Sequence, residues 1–249
     1  MLDSVRRSSA LLRQARCAVA LTGAGLSTES GIPDFRSPGG VWERFRPVEY
    51  QDFLANHEAR KEHWRYKRTT VPAMLSAEPN PAHTALAELE AARRLAAVIT
   101  QNIDGLHQRA GSRRVLELHG TNLEALCLRC ERRVPIVDAL AQLEHGHDVP
   151  RCAACGGWLK PATVSFGESL PPAVLRDAAD LAERSDCFLA LGSSLLVTPA
   201  ASLAAVAKQG GSALIVITLG KTPYDEIADV RIAAKVGAVL PEIAASVLG

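Results

Sequence analysis

The sequence has no apolar run approaching the roughly 18 residues that a membrane span needs. Its first residues, Met1-Leu2-Asp3-Ser4-Val5-Arg6-Arg7, lack the basic-then-apolar order of a signal peptide. Bulk charge is missing as well. With 28 basic against 27 acidic residues the net charge is +1, which excludes a bulk electrostatic attraction to nucleic acid or to an anionic membrane. No internal repeat or low-complexity tract is present. Nor do the six cysteines read as a disulfide framework: four fall in paired motifs, while Cys17 and Cys187 sit in apolar, strand-like runs as buried thiols. These absences predict a cytoplasmic globular protein, and 47% hydrophobic content is ample for its core.

What is present is an alternation of helix and strand. A helix capped by Asp3 or Ser4 reaches Arg16 and is followed by a strand at 17–22; Asn80-Pro81 opens a second helix running through Arg94. Strands follow at 95–100, 115–118, 186–191 and 213–218, with an edge strand at 229–232. Pro199 opens a helix that closes near Gly210-Gly211, and Val239, Ile243 and Val247 form the apolar stripe of a last one. Strands alternating with helices predict an α/β fold with a doubly wound parallel sheet, Rossmann-like, whose ligands bind beyond the strand C-termini. The spacing divides the chain into that domain (1–40, 78–124 and 160–249), an aromatic-rich helical insertion over the site (41–77) and a small cysteine-bearing module (125–159).

Gly23-Ala24-Gly25 directly follows the first apolar strand, where glycines let the backbone approach a pyrophosphate. Thr28 stands where a third glycine of the dinucleotide fingerprint would fall, so on its own this loop is a weak signal that also reads as a simple tight turn. Cys127-x-x-Cys130 and Cys152-x-x-Cys155 have the spacing of two knuckles that close one tetrahedral zinc site. Four thiolates leave no position for water, so the ion is structural. A redox pair would need only one such motif beside a strand. Asp138, Glu144 and Asp148 between the pairs, with no aromatic residue, argue against nucleic-acid binding.

Further blocks join the glycine loop and its continuation to Arg36: Thr100-Gln101-Asn102-Ile103-Asp104-Gly105-Leu106-His107, Leu118-His119-Gly120-Thr121 and Gly192-Ser193-Ser194-Leu195. Together with the cysteine set they resemble the sirtuins, NAD-dependent protein lysine deacylases, from about Ala18 to the C-terminus. The resemblance implies NAD as co-substrate and a dinucleotide site made by Gly23, Ala24, Gly25, Ser27, Thr28, Asp34, Phe35, Arg36, Gln101, Asn102, Ile103, Asp104, Gly192, Ser193 and Ser194. It assigns the adenosine side to Thr218-Leu219-Gly220 and the Val236 backbone; Thr218 departs from the asparagine usual there.

By the same resemblance Gln101 and Asn102 orient the nicotinamide-side ribose, Asp104 and the Ile103 backbone hold the carboxamide, and Phe35 shields the reacting centre from water. His119 is the general base, with Asn102 beside it as the other catalytic residue. The implied reaction transfers the acyl group from lysine to ADP-ribose, giving nicotinamide, O-acyl-ADP-ribose and free lysine. The resemblance also implies that substrate lies as a strand between Val164, Phe166, Gly167 and Glu168 on one side and Leu195 and Val197 on the other.

Acyl choice turns on His63-Trp64-Arg65-Tyr66-Lys67-Arg68. Sirtuins that remove succinyl and malonyl groups carry a Tyr-x-x-Arg pair here, and alignment on Pro79-Asn80 puts Trp64 and Lys67 at those positions. Lysine lacks arginine's bidentate fork. Deacetylation therefore ranks first, with acid-tipped or long apolar acyl groups as alternatives and Trp64 as the wall of an apolar channel. Transfer of ADP-ribose to a protein, and NAD sensing without turnover, are the rival readings. The partner expected is an acylated lysine in a protein or peptide; oligomeric state is not legible.

Overall fold

The computed structural model describes residues 1–34, 40 and 45–249. Its strands are β1 (Ala18–Thr22), β2 (Ala97–Thr100), β3 (Val115–Glu117), β4 (Gly120–Cys127), β5 (Arg133–Pro135), β6 (Leu159–Thr163), β7 (Cys187–Leu191), β8 (Ala213–Ile217) and β9 (Val230–Ile232). Six of them form one sheet in the order β3-β2-β1-β7-β8-β9, with every pairing parallel. These are the six strands expected from the apolar runs.

Alternate residues of the strands serve two cores, as the period of two requires. Ala18, Ala20, Leu189, Leu191, Ile215 and Ile217 pack under α1 (Leu2–Gln14), α4 (Pro81–Ala91) and α9 (Val236–Leu248). Val19, Leu21, Phe188, Ala190, Leu214 and Val216 pack under α7 (Pro172–Arg184) and α8 (Ser202–Gln209). The sheet is thus covered on both faces, which is why its central strands are apolar without interruption. Strand order reverses between β1 and β7, so the crevice of this doubly wound sheet opens where the loops after those two strands meet.

Asn80 explains the start of α4. Its side-chain oxygen accepts from Ala82 N at 2.9 Å, and its backbone N–H donates to His83 Nδ1 at 3.2 Å, a capping box closed by histidine. The helix expected to open at Pro199 begins later, at Ser202, because residues 198–201 form turns. Cys187 is buried as expected, whereas Cys17 is only partly so.

A second, antiparallel sheet (β5-β4-β6) carries α6 (Ile136–Glu144). Two helices from the aromatic-rich segment, α2 (Tyr50–Ala55) and α3 (His57–Ser76), lean on it. Phe53, Trp64 and Val71 share one core with Ala125, Ile136, Leu140 and Leu159, so helical insertion and cysteine module are packed as a unit. Among the described residues no helix is long and apolar enough to cross a membrane. The segment 164–168, expected to be strand-like, is instead a turn: Gly167 has φ +76°, and Ser165 N donates to a Glu168 carboxylate oxygen at 2.8 Å.

Candidate active site

The loops after β1 and β7 cross at near contact. Gly25 N donates to Gly192 O at 2.8 Å and Gly23 N to Leu191 O at 3.0 Å. A Cβ on Gly25 would lie 2.8 Å from Gly192 O, and one on Gly192, at φ +62°, would lie 2.3 Å from Leu26 N. Two of the glycines are therefore demanded by the approach of one loop to the other, a constraint the linear sequence does not display.

A cavity of about 830 Å³ opens there, at the C-terminal ends of the strands. It is large enough to hold a dinucleotide and an inserted side chain. Gly23, Ala24, Gly25, Thr28 and Asp34 line it from the first loop, and Gln101, Asn102, Ile103 and His119 from the ends of β2 and β3. Gly192, Ser193, Ser194 and Val197 follow β7, while Thr218, Leu219, Gly220 and Val236 close the far end. Val164, Phe166, Gly167, Glu168 and Lys67 complete the set of expected residues on the wall. Phe35 and Arg36 lie outside the described residues.

Four expected residues are not on that wall. Ser27 and Asp104, 1% and 4% exposed, stand behind it. Asp104 Oδ2 accepts from Ser27 Oγ at 2.7 Å, and Oδ1 accepts from Leu106 N at 3.0 Å. Leu195 is buried in the sheet core. Trp64, expected to wall an acyl channel, is fully buried and donates from Nε1 to Leu159 O at 3.1 Å. It belongs to the core shared with the cysteine module. The helix face that meets the cavity is instead the one carrying His63, Tyr66 and Lys67, at the three- and four-residue spacing of one stripe. His63 and Tyr66 were missed in the sequence, although that spacing was visible.

Lys67 is 3% exposed, buried at the cavity wall. Its Nζ donates to Asn122 Oδ1 at 2.7 Å, and burial, reinforced by Lys160, brings its pKa down to about 7. Lys160 itself pairs with Glu168 at 2.8 Å. Burial, with Lys67 and Lys160 nearby, also holds His63 well below the ordinary histidine value, and its Nε2 has no partner among the described residues.

The polar groups at the strand ends are mutually fixed. Asn102 Nδ2 donates to Gly23 O (3.2 Å) and to Ser27 Oγ (3.0 Å), and its backbone N–H to Thr100 Oγ1 (3.0 Å). Gln101 Nε2 donates to Ser193 Oγ at 2.9 Å. These bonds leave the side-chain oxygens of both amides as acceptors for a ligand. His119 is half-buried. Its Nδ1 lies 3.0 Å from Gln101 O, a contact only a protonated Nδ1 can make as a hydrogen bond, so Nε2 carries the lone pair. Burial lowers its pKa, against a smaller opposing effect of that bond, and the ring is neutral at pH 7.

The Sγ atoms of Cys127, Cys130, Cys152 and Cys155 all lie within 4.8 Å of one another, with Cys127–Cys155 at 3.4 Å and Cys130–Cys152 at 3.8 Å. Tetrahedral zinc with sulfur ligands at about 2.3 Å sets separations of about 3.8 Å, and these two pairs lie near that value. Arg129 N donates to Cys127 Sγ and Gly157 N to Cys155 Sγ, each at 3.4 Å, the bonds that support thiolates. The set fits one structural zinc ion.

The Sir2 family model matches residues 23–199. The NAD-dependent protein deacetylase of Thermodesulfovibrio yellowstonii is 45% identical over 241 residues, covering 97% of this chain and 94% of the relative. The NAD-dependent protein deacylase 2 of Archaeoglobus fulgidus is 43% identical, covering 98% and 96%. A solved Sir2 variant with a deacetylated p53 peptide and 3′-O-acetyl ADP ribose superposes with a TM-score of 0.91 at 41% identity, covering 96% of each chain. Sequence agreement over nearly the whole length thus coincides with a doubly wound sheet, crossed glycine loops at its switch point and a four-cysteine module, and the chain belongs to the Sir2 family.

Proposed function

We propose that this protein removes acyl groups, acetyl foremost, from protein lysine side chains with consumption of NAD, giving nicotinamide, O-acyl-ADP-ribose and free lysine. The observation that carries the reading is the neutral His119, its Nδ1 tied to Gln101 O so that Nε2 carries the lone pair, on a dinucleotide-sized cavity. When bound, NAD supplies a glycosidic bond whose cleavage exposes an electrophilic ribose carbon. Gln101 and Asn102 orient the ribose through the amide oxygens that their own hydrogen bonds leave unused. Asp104 keeps the Ile103 turn in register from behind, by holding Ser27 and Leu106 N, so that the turn can receive the carboxamide. His119 Nε2 takes the proton of a ribose hydroxyl, which needs no prior deprotonation of the ring at pH 7.

The glycine loop after β1 and Gly192-Ser193-Ser194 hold the phosphates, and Thr218, Leu219, Gly220 and Val236 the adenosine. Acyl-lysine enters between the 164–168 turn and Val197. His119 O accepts from Val164 N at 2.8 Å, which ties the turn to the base. Partners are acylated proteins or peptides rather than nucleic acid or membrane, in the reducing cytoplasm where a four-thiolate zinc site persists.

A second reading of acyl choice, succinyl or malonyl, is favoured by one observation: Lys67 faces the cavity with Asn122 as its hydrogen-bonded partner rather than a carboxylate. One peptide carrying acetyl, succinyl or long-chain acyl groups decides between them. Expected are acyl-peptide-dependent release of nicotinamide, O-acyl-ADP-ribose by mass spectrometry, and acetyl-lysine ahead in kcat/KM. ADP-ribose attached to protein, or NAD binding without turnover, would overturn the reading.

A further inference from the structure

The far end of the cavity carries side-chain charge of one sign. Its wall reads Thr218-Leu219-Gly220-Lys221 along one segment and Ala234-Lys235-Val236 along the other, two ammonium groups and no carboxylate. Lys221 and Lys235 are exposed and make no salt bridge among the described residues.

A third cation underlies the first segment. Arg231 donates from Nη1 to Thr218 O (2.8 Å) and to Ile232 O (2.5 Å), from Nη2 to Gly220 O, and from Nε to Asp225 Oδ1 (2.9 Å). The carbonyls of the segment are thereby anchored to a fixed positive charge, and four of the five guanidinium N–H groups are used. Asp225 is consumed in the same contact. Glu29, the carboxylate on the other side, accepts from Gly237 N at 2.8 Å in the first turn of α9. At Gly220 a Cβ would meet nothing within 4 Å, so the wall has open space where a side chain would otherwise project.

In dinucleotide sites a carboxylate that bonds the adenosine-side ribose 2′-hydroxyl selects the unphosphorylated form, whereas a nearby arginine accommodates the 2′-phosphate. A phosphate monoester brings a charge near −2 and strong acceptor oxygens, to which ammonium groups donate charge-assisted hydrogen bonds.

We propose that this protein also accepts as co-substrate the dinucleotide phosphorylated on its adenosine ribose, NADP, with Lys221 and Lys235 meeting the phosphate in the space left by Gly220. The inference rests on the proposed function for which end of the cavity holds adenosine. The bonds made and broken do not change. The nicotinamide–ribose bond and the lysine amide break, one water is consumed, and nicotinamide and free lysine leave. The acyl group ends as an ester on the ribose that carried nicotinamide, while the added phosphate stays on the other ribose.

The test measures nicotinamide release from NAD and from NADP with one acetylated peptide, in the wild type and in a Lys221→Glu, Lys235→Glu double variant. Expected is a wild-type kcat/KM for NADP within about tenfold of that for NAD, and a fall of at least tenfold in the NADP-to-NAD ratio in the variant. NADP that is neither turned over nor competitive with NAD at millimolar concentration overturns the inference, as does a ratio that the double variant leaves unmoved. If NAD itself is not cleaved, the proposed function fails, and the ratio of NADP to NAD affinity measured by calorimetry in the same two proteins decides this inference by the same criteria.

Discussion

His119 Nδ1 and the carbonyl oxygen of Gln101 are 3.0 Å apart, joining the end of β3 to the end of β2 and fixing which ring nitrogen is free. A base held in one tautomer needs no rearrangement before it acts, so its removal should cost chemistry more than binding. His119→Ala is expected to abolish deacylation while NAD affinity, measured by calorimetry, stays within several-fold. A parallel loss of NAD affinity would contradict the assignment.

The same histidine sets a pH profile. Burial lowers its pKa below the ordinary value of about 6.5, and the neutral ring is the active form. Activity is therefore full at neutrality and falls only as pH drops through the lowered value. The acid limb of kcat/KM should have its midpoint below about 6.5; a midpoint above 7 would exclude His119 as the titrating base.

Stability has its own pH dependence, from His83 and His107. Burial pushes them down to about 4 and about 3, and their rings lie 4.9 Å apart. The unfolded chain therefore binds more protons than the folded one below about pH 6.5. The contribution of each neutral ring is fully present above that pH and is lost as pH falls towards the folded values. At pH 5 the loss is on the order of 2 kcal/mol for each histidine. Urea midpoints at pH 7 and pH 5 should show it, and His83→Phe should flatten the difference even if it lowers both midpoints; an unaltered difference would remove His83 from the account.

Zinc removal should reach the helical insertion. Cys127 and Cys152 share a core with Trp64 and Val71 of α3, so releasing the ion loosens that helix as well as the cysteine module. Chelation, or Cys152→Ser, is expected to lower Tm and to raise hydrogen exchange in α3. A zinc-free protein with native Tm and activity would refute the structural assignment.

Trp64 does not take the part expected of it, being packed in the core shared with the cysteine module, whereas Lys67 lines the cavity. Trp64→Ala should cost about 3–5 kcal/mol of stability, the usual range for a buried aromatic, while leaving the acetyl-to-succinyl ratio of kcat/KM unmoved. Lys67→Met should alter that ratio: if succinyl-lysine is a substrate, losing one buried charge-assisted hydrogen bond of about 1.5–3 kcal/mol lowers its kcat/KM roughly ten- to a hundredfold. A changed ratio in Trp64→Ala would return the indole to the acyl channel.

Strand runs, helix caps and paired cysteines act over a few residues, so they were legible in the sequence: six parallel strands, the Asn80 cap and the four-cysteine cluster all follow from local pattern. Local pattern did not reveal which side of α3 meets the cavity. That helix is buried on two sides, one against the cysteine module and one against the site, and positions such as 63 and 64 lie about 100° apart on it, so only packing decides between them. Tertiary structure likewise set Ser27 and Asp104 behind the wall, and it supplied the close crossing at Gly25 and Gly192 and the Arg231 anchor beneath Thr218 and Gly220. Each of these joins chain segments far apart in sequence, where a residue's role depends on what another strand brings beside it.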